Sequence, residues 1–375
     1  MPGTIRLGKL AGIDIYVHVS WFIILVLLTW SLAIDWFPPF FLGWSASAYW
    51  LIAFISALLL FVCVLIHELA HSLVARAYGQ NVRGITLFVF GGVAQIDEEA
   101  RSPGVEFQIA IVGPLASFLL AGIAFLLLLP LGFSRNPAVA VLDYLVTSNI
   151  LLGVFNLIPG FPLDGGRVFR SIVWKATGDF RKATRIASLV GQGCGFLFIL
   201  LGIVAFFTGG FFTGLWIAFI GWFLLSAAQS INTQVMTQSA LQGVTVGQVM
   251  NPRPVTVPAN ISLQRLVDDY ILPSGIRAAP VMQEDSLAGL ITLSDIGRVE
   301  RENWAHTPVG HVMRPLEQIT VVSPAQPLYE ALQKMVSQDI NQLPVIQDGH
   351  LVGLLNRESI VRYLHVYQSL TYNKR

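Results

Sequence analysis

The 375-residue sequence predicts a polytopic α-helical membrane domain of six transmembrane helices with a short β segment, followed by a separate α/β domain built as a tandem repeat. Three observations carry this. Hydrophobic residues make up 54% of the chain and charged residues only 12%, against about 25% charged in soluble domains. The charges also divide unevenly: residues 1–243 hold 12 Lys/Arg and 10 Asp/Glu, whereas the much shorter stretch 244–375 holds 11 and 12. Within that second stretch V-G-Q-V-M at 246–250 recurs as V-G-H-V-M at 309–313, a spacing of 63.

Apolar runs near 16–37, 48–75, 105–130, 138–158, 186–208 and 211–230 are each long enough to cross about 30 Å of hydrocarbon as helix. The first follows Arg6 and Lys9 but lacks a small-residue cleavage site, so it is expected to stay as an anchor. Basic residues resist translocation, and eleven of them, from Arg6 to Arg185, fall on one side of the spans against Arg135 alone on the other. The expected topology is therefore a multi-pass protein of the cell membrane with its N-terminus and its α/β domain cytoplasmic. The aromatic loop Trp36–Phe41 then lies at the outer interface. Between the second and third spans, Val82–Ile96 alternates β-branched and aromatic residues around Gly91-Gly92 and reads as a strand or hairpin. It is too short to span, and because lipid cannot satisfy an open strand edge, it must sit at the interface or line a cavity. A net charge of +1 with no basic stripe leaves nucleic acid out of the expected partners. Cys63 and Cys194 both lie in apolar runs and are expected as buried small hydrophobes.

Near the cytoplasmic end of the second span the chain reads Ile66-His67-Glu68-Leu69-Ala70-His71-Ser72. Positions i and i+4 share one helix face, so both imidazoles can hold one ion while Glu68 stands beside it. This is the HExxH pattern of zinc hydrolases, where the Glu takes a proton from water at the ion. Glu and His are costly in a bilayer and functional there by default. A catalytic zinc needs a third protein ligand. The fourth span ends in N-L-I-P-G-F-P-L-D-G-G-R at 156–167, where prolines break the helix and Asp164 is the carboxylate delivered. The second and fourth spans end on the same side by the charge count, which puts His67, His71 and Asp164 at one depth and implies one Zn2+ per chain. Asn156 could donate its amide to an oxyanion, or instead bond across helices. Weaker candidates are His18 in the first span, Cys63 one turn before His67, and Asp143 toward the outer end of span four.

In these motifs the sequence resembles the site-2 proteases, the intramembrane zinc metalloproteases. HELAH at 67–71 and NLIPGFPLDGGR at 156–167 carry the resemblance, together with Gly113-Pro114-Leu115-Ala116-Ser117, which is similar to the family's GP-containing helix although many members have Asn in place of Ser117. The resemblance implies cleavage of a peptide bond in a substrate's transmembrane segment, with His67, His71 and Asp164 as zinc ligands, Glu68 as general base and Asn156 as oxyanion contact. It also implies that a strand near Phe88–Ala94, including Phe88, Phe90, Gly91, Gly92 and Val93, pairs with unwound substrate.

After a short linker, 234–245, the two copies of the repeat occupy 246–305 and 306–375, leaving 1–233 as the membrane domain. Ala279-Pro280-Val281 recurs as Leu343-Pro344-Val345, and Gly289-Leu290-Ile291 as Gly353-Leu354-Leu355. Each copy reads as a helix such as Leu328–Ser337, then strand, turn (Gln347-Asp348-Gly349), strand and helix. This resembles a pair of CBS domains, which implies an adenine nucleotide ligand and, through the pairs, a homodimer. Nucleotide binding in such pairs commonly uses a hydroxyl residue at a strand end and an Asp three residues later, here Thr292 and Asp295 in the first copy; the second has Asn356 and Ser359. A hydroxyl and a helix N-terminus can hold phosphate. Equally, Thr292 and Asp295 can simply cap a helix.

Two functions fit this pattern. The leading one is a zinc endoprotease acting on membrane-anchored substrates and regulated through the CBS pair. The alternative is a CBS-regulated membrane transporter or metal-dependent scaffold without proteolytic activity. A transporter needs polar residues at several depths, and here they gather at one, which favours chemistry.

Overall fold

The computed structural model describes residues 3–89, 91–96, 100–132, 136–284 and 286–372, except the side chains of residues 212, 232, 239, 368, 371 and 372. The chain divides into two compact units, Met1–Thr233 and Gln234–Arg375.

The first unit opens with a hairpin of β1 (Thr4–Leu10) and β2 (Ile13–His18), turned through Ala11 and Gly12, both at positive φ. Ile13, Ile15 and Val17 point inward and Asp14, Tyr16 and His18 stand on the other face, the period of a half-buried strand. This corrects the placement of the first span, expected from residue 16. The span starts at Ser20, as α1 (Ser20–Ser31) continuing through a π turn, Leu32–Trp36, into a short α2 (Phe37–Phe40). His18 thus ends a strand, with its Nδ1 2.8 Å from the Ser20 hydroxyl. Next come α3 (Ala46–Ala77), β3 (Val82–Phe88) and β4 (Gly91–Ile96). The last two form the expected antiparallel hairpin, but within a four-stranded sheet ordered β1-β2-β3-β4, in which β2 and β3 run parallel. Strand β4 is an edge of that sheet.

The remaining helices are α4 (Pro103–Leu128), α5 (Pro137–Asn156), α6 (Asp164–Thr177), α7 (Phe180–Phe207) and α8 (Phe211–Leu241). Ser102 starts α4 by accepting from the Val105 amide at 3.4 Å, with Pro103 at the first helical position. Among the described residues six helical segments are long and apolar enough to cross a membrane: α1 running on through α2 as one, then α3, α4, α5, α7 and α8. The polar, amphipathic α6 packs between α4 and α7. Helix α3 packs on α4, α5 and β4, and so lies at the centre of the unit.

In the second unit, α8 continues as helix to Leu241, through most of the stretch expected as linker. There follow α9 (Val246–Val249), β5 (Val257–Pro258), a helix made of α10 (Leu263–Arg265), a π turn and α11 (Leu272–Ser274), then β6 (Ala278–Gln283), β7 (Ser286–Thr292) and α12 (Leu293–Ile296). The second copy supplies α13 (Val309–Val312), β8 (Arg314–Pro315), α14 (Leu328–Ser337), β9 (Gln342–Gln347), β10 (His350–Asn356) and α15 (Arg357–Tyr372). Each copy has its own core, and the repeated motifs are exchanged between them. Val246 is buried with Leu328, Met335 and Leu355, while Val309 is buried with Leu263, Val281 and Ile291.

Candidate metal centre

The metal-ligand pattern sits in the last third of α3. His67 Nε2 and His71 Nε2 face each other at 3.2 Å, and Asp164 Oδ2 lies 3.0 Å from the first and 3.1 Å from the second. Both rings are buried, and their other nitrogens are held by α4: His71 Nδ1 donates to the Ile109 carbonyl at 2.6 Å, and His67 Nδ1 is 2.8 Å from the Ser117 hydroxyl. A carbonyl only accepts, so His71 carries a proton on Nδ1; with the ring neutral its Nε2 offers a lone pair to an ion, and with Nε2 also protonated it donates to Asp164. Three electron-pair donors directed at one point repel one another unless a cation joins them. Two imidazoles and one carboxylate, the imidazoles fixed from behind, are a donor set suited to catalytic zinc. Among the described residues, no other His/Cys/Asp/Glu group comes together in this way.

Helix α4 approaches because residue 113 is Gly. A β-carbon there would overlap Nε2 of both His71 and His67. Asp164 opens α6, outside the spans. Burial alone would raise its carboxyl, but hydrogen bonding to His67 and His71 prevails and holds it well below the usual carboxylate range.

Glu68 lies under β4. A β-carbon on Gly92 would overlap its Cγ, so the strand passes directly against this side chain. Of the other residues expected to meet substrate, Phe88 pairs with Gly91 at the tip of the β3–β4 hairpin, Gly92 pairs with Leu87, and Val93 is exposed. Phe90 lies outside the described residues. Asn156 is the last residue of α5, and the following Leu157–Ile158 backbone is the surface on which Gly165 packs, next to Asp164. His18 and Cys63 do not join the cluster, and Asp143 is exposed on α5. Ser117 and the Ile109 carbonyl are contacts that spacing alone did not single out.

In the second unit Thr292 and Asp295 form a capping box at the start of α12. Asp295 Oδ2 accepts from the Thr292 amide at 3.2 Å and from its hydroxyl at 2.6 Å, while Oδ1 lies 3.1 Å from Arg314 Nε. Asp295 is buried. The cleft beside Thr292 has a volume of about 170 Å3 and includes Ser294, Arg314 and Thr320. A second cleft of about 690 Å3, lined by Arg277, Asn341, Asn356 and Arg357 among others, opens on the Asn356 side.

Comparison with known proteins follows the same division. The model of peptidase family M50 matches residues 55–135 and 132–202, and that of the CBS domain matches 246–301 and 309–366. The chain is 37% identical over 372 residues to a protein of Mycobacterium tuberculosis named zinc metalloprotease Rip3, covering 98% of this chain and 94% of that one. It is 30% identical over 371 residues to a zinc metalloprotease of Methanocaldococcus jannaschii, with 98% of each chain covered. A solved site-2 protease from the latter organism is 31% identical, with a TM-score of 0.44 over 61% of this chain and 95% of that one. The chain belongs to peptidase family M50, as a zinc metalloprotease of the site-2 type with a C-terminal CBS pair.

Proposed function

We propose that residues 1–233 form an intramembrane endopeptidase that cuts the transmembrane segments of membrane-anchored substrates, with His67, His71 and Asp164 holding one zinc ion and Glu68 as general base. The observation that carries this reading is the convergence of the three donor atoms within 4.8 Å of one another. Bound there, zinc supplies Lewis acidity, polarising the scissile carbonyl and acidifying water. The chain's own residues do the rest. Glu68 takes a proton from water as the water oxygen bonds to the carbonyl carbon, and returns it to the amide nitrogen as the carbon–nitrogen bond breaks. The Asn156 amide donates to the developing oxyanion. The edge of β4, with Gly91, Gly92 and Val93, receives the unwound substrate as an added strand, whose main-chain bonds give affinity without demanding a sequence, and Phe88 at the end of β3 and Phe90 complete the proposed substrate contacts. Metal analysis tests the ligand set: the wild-type chain retains about one zinc, and a His67→Ala/His71→Ala variant with full occupancy would refute it.

The excess of eleven basic residues on one side of the spans over Arg135 on the other supports a cell-membrane location with the N-terminus and the CBS copies, 246–305 and 306–375, on the cytoplasmic side. The CBS pair binds an adenine nucleotide and passes that state to the protease. Thr292 offers its hydroxyl to one cleft, but Asp295 would have to leave Arg314 to meet a ribose. The larger cleft on the Asn356 side has the room and the two arginines that a phosphorylated ligand requires. A homodimer through the CBS pairs completes the expected assembly.

A further inference from the structure

We infer that Arg170 is a positioning residue for the metal centre, clamping the helix that carries Asp164 onto the helix that supports His67 and His71; this rests on the zinc reading above. Arg170 lies on α6, six positions after Asp164, and is buried. Its Nε donates to Glu106 Oε1 on α4 at 2.7 Å, its second terminal nitrogen donates to the same oxygen, and the first is 3.4 Å from Thr184 Oγ1 on α7. The guanidinium also stands 5.0 Å from the ring centre of Phe161, in the loop that delivers Asp164, and 4.6 Å from that of Phe180 on α7. One side chain thereby ties α4, α6, α7 and the ligand-bearing loop together.

A bland role is available, since a buried ion pair can be a packing accident of no special value. Two features oppose it. Glu106 is fully buried near the start of a span, where a carboxylate is expensive, and its Oε2 has no hydrogen-bond partner among the described residues. A pair retained at that cost in stability must supply something that apolar packing does not, and the guanidinium supplies direction. In addition, Glu106 is on the same helix as Ile109, Gly113 and Ser117, the three residues that shape the two imidazoles. Fixing α6 to Glu106 therefore fixes the Asp164 carboxylate against the two His nitrogens.

The test uses the full-length chain in detergent with zinc or cobalt(II) as the probe. Arg170→Lys keeps a charge for Glu106 but loses the planar fork, and a Glu106→Leu/Arg170→Met double variant replaces the pair with apolar volume. Zinc affinity by chelator competition should fall about tenfold or more in both, and the visible bands of the cobalt-loaded protein should shift. Helicity and melting temperature should stay near wild type in at least Arg170→Lys. A purely structural pair would instead leave cobalt bands and zinc affinity unchanged wherever the fold is intact, and that result in Arg170→Lys overturns the clamp. Absence of zinc binding in the wild-type chain would sink the metal reading itself, and the clamp with it.

Discussion

The hydroxyl of Ser117 lies 2.8 Å from Nδ1 of His67, joining two spans across 50 residues of sequence. Groups that hold the far nitrogen of a ligating imidazole fix its orientation and basicity. Ser117→Ala is therefore expected to weaken zinc binding by about tenfold, with a parallel loss of peptidase activity that excess zinc partly restores. Competition with a chelator at fixed free zinc measures it.

Gly113 makes a sharper prediction. A β-carbon at this position overlaps the nitrogens of both His67 and His71, so even Gly113→Ala must displace α4 or the rings. The purified variant should hold little zinc while keeping wild-type helicity by circular dichroism.

On the other side of the site, Gly92 lets β4 pass directly over Glu68. Gly92→Val should leave zinc content unchanged yet cut turnover by about a hundredfold, the order of loss expected when a reacting group moves by about 1 Å. Metal analysis and a cleavage assay on the same preparation separate the two effects.

In the CBS pair, Asp295 caps α12 and pairs with Arg314. Asp295→Ala should destabilise this unit by about 1–3 kcal/mol, because it removes the partner of several buried or half-buried donors. Calorimetric melting should show the loss. Titration with ATP should still show binding on the Asn356 side, and Arg277→Ala or Arg357→Ala should reduce it at least several-fold.

Much of this was legible in the sequence, for identifiable reasons. His67 and His71 are four residues apart on one helix, so local geometry alone predicts their common face, and the six apolar runs follow from composition. Asp164 was reachable because Pro159, Pro162 and two glycines mark where the fourth span must end. Ser117, Ile109 and Arg170 act through tertiary approach, which no spacing encodes. Arg170 reads from sequence as one more basic residue on the cytoplasmic side, and only its contact with Glu106 shows it to be buried. Glu106 itself carried a signal, a carboxylate at the edge of an apolar run. The N-terminal hairpin was missed because Ile13, Ile15 and Val17 merge into the apolar span that follows, although their period of two distinguishes them. The sequence repeat located the CBS copies, but not the exchange of Val246 and Val309 between their cores, because that exchange depends on how the copies pair.

Glu68 is proposed to move the proton without itself ligating the ion. The most direct test compares Glu68→Gln with wild type, reconstituted in vesicles with a membrane-anchored substrate, measuring zinc per chain and cleavage fragments together. About one zinc is expected in both proteins, with fragments from the wild type and none from the variant. Undiminished cleavage by Glu68→Gln, or loss of its zinc, would contradict it.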